Sequence, residues 1–377
     1  MFSFLSRFTK KGPPEEILAI DLGTSYLKTA VIQLPQELEE NPKLVGDHTQ
    51  QIGRTMIRGR EIIDLDGVLE LIAQSIEHSL LAAGVQPSET VLGLSGNSIQ
   101  YSGLTVRIQR PEPEEPVTQK ELDAIIERIE GETMKTAKSK ISLDESWNHL
   151  GMIVTDFKID DKFVSVPIDL TGNTLECIIL HGFWQEPTKK IIDVLANQLG
   201  LDISMVWETA VARALRSRDN RESFLLVDVG GRATEIVLVK GRRVISNTSI
   251  NIGGDDWTDA LSHKMKLSDR QAEKVKHSFQ EGVLDQQRST ETREILETTI
   301  EDYVYILAES LRHISPDSDL PPVLYFTGHG SGLDVLKSKV LTFPWKNDGL
   351  FTSFPHVERL TGEFVNESLY YGYDLLS

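Results

Sequence analysis

Apolar and polar positions along this chain place two similar strand hairpins about 200 residues apart. The run 17–20 is wholly apolar and stops at Asp21, the pattern of a buried strand. A turn at 22–25 follows, and 27–34 reads as the returning strand. The run 223–227 is also apolar and stops at Asp228. Gly230, Gly231, Arg232, Ala233 and Thr234 make the turn there, and 235–239 returns. A supersecondary unit that recurs in this way predicts two lobes with similar cores. A third Gly-rich turn, 327–332, follows the short apolar strand 323–326.

The rest of the pattern fills in around these hairpins. A strand is predicted at 51–57 before a turn at 58–60. Asp66 is expected to cap a helix with Val68, Leu69, Leu71, Ile72, Ile76 and Leu80 at helical spacing, ending near Gly84. Strands are predicted at 91–94, 103–109, 165–167 and 174–180, with a Pro- and Glu-rich link at 111–116. Thr118 and Glu121 form a capping-box pattern that opens a helix through Ile129. A helix over 188–199 ends at Gly200, a strand at 203–206 follows, and a further helix opens at Glu208. Helical spacing predicts segments at 257–265, 268–279 and 293–313, and one from Leu333. The expected order is an N-terminal tip (1–14), a first lobe (15–89), an inserted α+β subdomain (90–182), the first lobe again (183–207), a second lobe (208–345) and a C-terminal return to the first lobe (346–377).

Composition narrows the function classes. The 377 residues carry a net charge of −18, which repels nucleic acid, so no nucleic-acid partner is expected. Gly241, Arg242 and Arg243 make a short basic tip that reads as a hairpin turn. The single cysteine, Cys177, allows no intrachain disulfide and lies in a strand-like run as a small hydrophobe. This fits a cytoplasmic, reducing setting. No apolar stretch is long enough to span a membrane. At the N-terminus, Phe2, Leu5 and Phe8 would share a helix face beside Arg7, Lys10 and Lys11, a pattern for peripheral contact with the inner face of a membrane.

The chemistry suggested by the loops is phosphate binding. Tight Gly turns present converging backbone N–H groups, and an Asp at a strand end can hold Mg²⁺ through water. If the hairpins face each other across a cleft, Asp21 and Asp228 lie near the metal. Gly23, Thr24 and Ser25 then cradle one side of the phosphates, and Gly230 and Gly231 the other, with Lys28 in reach. The chain has no Walker-type Gly-x-x-x-x-Gly-Lys-Ser/Thr loop, Gly-x-Ser-x-Gly elbow or His-Glu-x-x-His helix.

These residues carry a family resemblance. Asp21 to Lys28, Asp228 to Ile236 and Phe326 to Ser331 resemble the first phosphate, second phosphate and adenosine motifs of the actin, Hsp70 and sugar-kinase superfamily. Within it, the stretches 58–64, 93–99, 252–258 and 272–276 are similar to the bacterial cell-division family FtsA, in the FtsA, PilM and MreB branch. The resemblance implies an α/β, actin-like ATPase fold of two lobes with the inserted subdomain in the first. It implies ATP and Mg²⁺ as cofactors, with Arg232 and Thr234 added to the phosphate set. Glu273, Lys276, Gly328, His329, Gly330 and Ser331 would form the adenosine set. Glu208 would orient an attacking water, or simply place charge at a helix start. Partners implied are further copies of the chain in filaments, and a division protein such as a tubulin-like GTPase at the inner membrane.

The departures matter as well. Thr209 stands where the family often has proline, and Arg232 where the second phosphate motif has a third glycine. Arg232 can contact phosphate or close the loop by its bulk. Ala233 stands where that motif often has Thr. His329 replaces a glycine of the adenosine turn and can stack on adenine or mark a degraded site. Slow or absent hydrolysis is expected. The family usually ends in an amphipathic membrane helix, and the sequence up to Ser377 shows no such pattern. The alternatives are a PilM-like scaffold with pilus-assembly partners, or a nucleotide-free relic of the fold. PilM loops tend to replace the Gly23-Thr24 pair with Ser, which separates them from this sequence.

Overall fold

Near-continuous apolar runs make strands buried on both faces, and β1 (Glu16–Leu22), apolar from Ile17 to Ile20, is one. It folds back as β2 (Tyr26–Gln33), which pairs with β3 (Lys43–Gln51). The computed structural model describes residues 16–34, 42–58, 61–96, 98–217, 221–314, 319–345 and 349–360, so the N-terminal tip 1–14 lies outside the described residues. A short hairpin of β4 (Ile57–Arg58) and β5 (Glu61–Ile62) leads into α1 (Leu65–Ala83). Its cap is Asp64, two residues before the expected Asp66, because the Asp64 side chain accepts from Gly67 N. Gly84 closes the helix in the left-handed conformation. β6 (Glu89–Leu94) then runs parallel to β1.

The inserted region has a sheet of its own. β7 (Ile99–Gln109), α2 (Gln119–Lys140), β8 (Trp147–Ile159), β9 (Lys162–Val164) and β10 (Thr174–Gln185) give the strand order β7-β10-β8-β9. Its sheet and helix thus span 99–185, and residues 90–94 belong to the first lobe's sheet instead. Thr118 caps α2 as expected, but the helix runs well past Ile129. Residues 165–167, read as a strand, follow the short β9. Cys177 is fully buried here, and burial pushes its thiol up to about 12.

The chain returns through α3 (Glu186–Leu199) and β11 (Ile203–Glu208), which completes the first sheet as β11-β6-β1-β2-β3. Glu208 ends this strand, and α4 (Thr209–Ser217) starts one residue later. The second lobe opens with β12 (Phe224–Val229), β13 (Thr234–Lys240) and β14 (Arg243–Ile250). Gly241 and Arg242 turn β13 into β14, both at positive φ, as a tight hairpin requires. Helices α5 (Gly254–Met265), α6 (Asp269–Gln280) and α7 (Gln286–Ile314) follow. β15 (Val323–Thr327), a 3₁₀ turn (His329–Gly332), α8 (Asp334–Thr342) and β16 (His356–Arg359) complete the lobe.

The second-lobe sheet is ordered β14-β13-β12-β15-β16. It matches the first sheet strand for strand: an antiparallel hairpin with a further antiparallel edge strand, then two parallel strands. The expected return of 346–377 to the first lobe is corrected over 356–359, where β16 pairs with β15. One apolar core runs from the first sheet through α4 (Ala210, Val211, Ala214, Leu215) to the inner face of the second sheet. The second lobe and the inserted region each hold a further core.

Candidate functional site

The repeated topology brings the two Asp-led hairpins face to face. Each turn closes with the same hydrogen bond: Gly23 N donates to Tyr26 O (3.1 Å) and Gly230 N to Ala233 O (2.9 Å). Between them lies a cavity of about 450 Å³, a size that suits a small-molecule ligand. Of the residues singled out from sequence, Asp21, Gly23, Thr24, Ser25 and Lys28 line it from the first lobe. Asp228, Gly230 and Gly231 line it from the second, with Glu273, Lys276, Gly328, His329 and Gly330 at the far end.

The fit of the loops depends on glycine at two points. Gly328 has φ +83°, and a Cβ there would collide with Asp228 and the Val229 carbonyl. A Cβ on Gly231 would run into Ser25 across the cleft. The loops also hold each other: Arg232 N donates to Thr24 Oγ1 (3.1 Å), and Ser25 Oγ to Asp255 Oδ2 (3.0 Å).

Four of the singled-out residues do other work. Arg232 turns away from the cavity. Its guanidinium donates to the carbonyls of Arg54 (2.8 Å) and Ile57 and pairs with Asp255 (3.0 Å), clasping the lobes. Thr234 is fully buried; its hydroxyl donates to Ile252 O (2.9 Å) and accepts from Tyr303 (3.3 Å). Ser331 braces its own loop, donating to Gly328 O (2.7 Å) and accepting from Arg359 (3.2 Å). Glu208 is buried beside Glu235 and accepts from Ile99 N (3.1 Å).

Glu235, which lies in the second phosphate motif but was not singled out as a site residue, forms the other half of this acid pair and accepts from Gly96 N. Burial, then the nearby Glu208 carboxylate, raises the Glu235 carboxyl well above the usual range. The pair therefore holds a proton and pins the backbone at Gly96 and Ile99. Sharing a proton in this way ties up Glu208.

The charges along the cavity are mixed. Burial, with Arg213 adding to it, pushes the Lys28 ammonium below its usual range. Lys276 is already engaged: it donates to Gly254 O (2.8 Å) and Thr258 Oγ1 (2.7 Å) and pairs with Glu273 (2.8 Å). Burial works against the charged Glu273, but Lys276 and its hydrogen bonds hold it below the usual carboxylate range. His329 stacks on Tyr26 of the opposite lobe, centroids 5.1 Å apart. Burial, then Lys28 and Arg213, keep its imidazole neutral by lowering its pKa.

Sequence reasoning also missed Arg213. It reaches from α4 into the cavity, its guanidinium paired with Asp228 and 3.6 Å from Asp21. Thr209, in the place of the family's proline, donates to the other Asp21 oxygen (2.8 Å). The carboxylates expected to hold Mg²⁺ are thus occupied by protein groups, so the residues present do not fit a resident divalent ion. Among the described residues, no group of three or more His, Cys, Asp or Glu side chains forms a metal cluster. The available signal for Arg213 was its place, with Arg216, on a short helix whose other residues are buried, TAVARALRS.

Comparison with known proteins agrees with the fold. No family model matches the chain. The cell-division protein FtsA of Bacillus subtilis is 21% identical over 83% of this chain and 73% of its own length. FtsA of Neisseria meningitidis is 24% identical over 69% of this chain and 60% of its own. The chain thus spans about two thirds of the length of these relatives. Among solved structures, a PilM–PilN type IV pilus biogenesis complex superposes with TM-score 0.57 at 18% identity, over 93% of this chain and 89% of the other. The chain thus has an actin-like fold and is similar in sequence to the FtsA proteins. The ethanolamine utilization protein EutJ of Carboxydothermus hydrogenoformans shares the fold, with TM-score 0.53 at 13% identity, over 98% of this chain and 91% of the other. Among the described residues, no helix is long and apolar enough to cross a membrane.

Proposed function

We propose that this chain is a nucleotide-binding, actin-like scaffold of bacterial cell division that self-associates and links partners at the membrane surface. The observation that carries the reading is the pair of matched hairpins. Two Gly turns from separate lobes meet over one cavity, with Lys28 on its wall. Such a site grips the phosphates from both lobes, so ligand occupancy sets how the lobes close. Tyr26 and His329 give a stacked aromatic wall beside it, suited to a planar base. Glu208 is held in the acid pair, which supports a conformational role for the ligand rather than rapid hydrolysis.

Thermal unfolding with and without ATP tests this. At about 100 times its Kd, ATP should add about 2.7 kcal/mol of stability. No shift at any ATP concentration would overturn the nucleotide reading. Pelleting with ATP and anionic vesicles then tests assembly and membrane contact. A second reading, a pilus-assembly scaffold, draws on the PilM superposition. Capture of a purified tubulin-like division protein supports the first; capture of a pilus-assembly protein supports the second.

A further inference from the structure

The place between Asp21 and Asp228 is filled by a side chain of this protein. Arg213 donates through one nitrogen to Asp228, and its other terminal nitrogen lies 3.6 Å from Asp21. The side chain is 11% exposed, and the two carboxylates 8% and 7%. Its Nε finds no hydrogen-bond partner among the described residues. The second Asp21 oxygen is taken by Thr209. A hydrated Mg²⁺ needs near-octahedral oxygen ligands and keeps several waters. Placing one here would require the guanidinium to leave two buried carboxylates, and would set a dication beside a displaced buried cation. Both carry the cost of an unpaired buried charge.

We propose that Arg213 is the fixed cation of this cleft, and that the nucleotide binds as the metal-free polyphosphate. Arg213 neutralises the aspartate pair, and Lys28, which also lines the cavity, meets the phosphates. A planar guanidinium suits this role because it keeps its charge when buried and bridges two carboxylates at once. This inference rests on the nucleotide-binding reading and adds to it the form of the ligand.

Calorimetric titration with ATP, in excess magnesium and in excess EDTA, tests it on the full chain. The parent protein should bind with affinities within about threefold of each other, since the cation is supplied by the protein. Arg213→Met leaves two uncompensated carboxylates facing the phosphates. It should lose about tenfold or more in EDTA and regain most of it in magnesium. Arg213→Lys keeps one charge and should fall between. Binding by the parent that drops about tenfold or more in EDTA would overturn the proposal and leave the nucleotide reading standing. No binding under either condition would overturn both. The parent comparison needs no variant, so a misfolded Arg213→Met leaves the test intact.

Discussion

The two lobes carry the same hairpin with different chemistry opposite its aspartate. In the first, Asp21 lies across the ladder from Lys28; in the second, Asp228 lies across from Glu235. The backbone around them is alike: antiparallel partner on one side, parallel strand on the other, and the same turn hydrogen bond. So the repeat sets where the loops meet, and single side chains decide what each loop does. The first hairpin offers a cation to the cavity. The second offers an acid that pairs with Glu208, the two bracing Gly96 and Ile99. Arg213, between the two aspartates, belongs to neither hairpin and links both.

The largest expected effect separates the two turns by where they touch. Gly231→Ala drives a methyl into Ser25 of the opposite lobe, whereas Gly23→Ala strains only the Tyr26 carbonyl of its own hairpin, 2.7 Å away. Gly231→Ala should cost about 1–3 kcal/mol of stability. It should also speed hydrogen exchange on both sides of the seam, at 24–26 and at 254–256. Gly23→Ala should leave 254–256 unchanged. Equal exchange in the two variants would break the claim that the second turn is the one that seats the lobes.

Next comes the residue opposite each aspartate. Lys28→Ala should weaken ATP binding about tenfold to a hundredfold, the loss of a charge-assisted contact. Glu235→Gln should change it by less than about threefold, because the acid faces Glu208 and a loop amide rather than phosphate. Calorimetry on the two variants reads the difference directly. Similar losses would mean that the hairpins are chemically as well as topologically equivalent.

The smallest effect is in pH dependence. The folded state holds the Glu235 carboxyl protonated well above its unfolded range, so the folded chain binds more protons there. Its contribution to stability is full below the unfolded value of about 4.3 and falls as pH rises toward the folded one. Glu235→Gln removes this slope. Urea unfolding from pH 5 upward should show a flatter profile than the parent, and an unchanged slope would place the shared proton elsewhere.

Much of this was legible in the sequence because it rests on strong local signals. An all-apolar run ending in Asp followed by a Gly turn is a strand and a tight loop whatever surrounds it, so both hairpins could be read. β3 was displaced because it is a half-exposed edge with Asp47, His48 and Gln50 on it, which blurs the alternation. β8 went unread where Gly151 and polar residues interrupt its apolar positions, and β14 where Ser246, Asn247, Thr248 and Ser249 do. The glycine loops were placed correctly at the cavity, but the direction of a long side chain cannot be read from spacing. Spacing therefore left Arg232 open between phosphate contact and loop closure, and its side chain runs to the Arg54 and Ile57 carbonyls of the opposite lobe. Arg213 and Glu235 matter because helix α4 and strand β13 pack beside the aspartates, a long-range fact that local spacing does not reveal.

The central claim is that two hairpins, far apart in sequence, form one phosphate site. Hydrogen exchange followed by mass spectrometry, across an ATP titration, tests it most directly. The account predicts that peptides covering 22–27 and 229–234 gain protection together, with the same dependence on ATP concentration. Protection of one loop alone, or of neither, would contradict it.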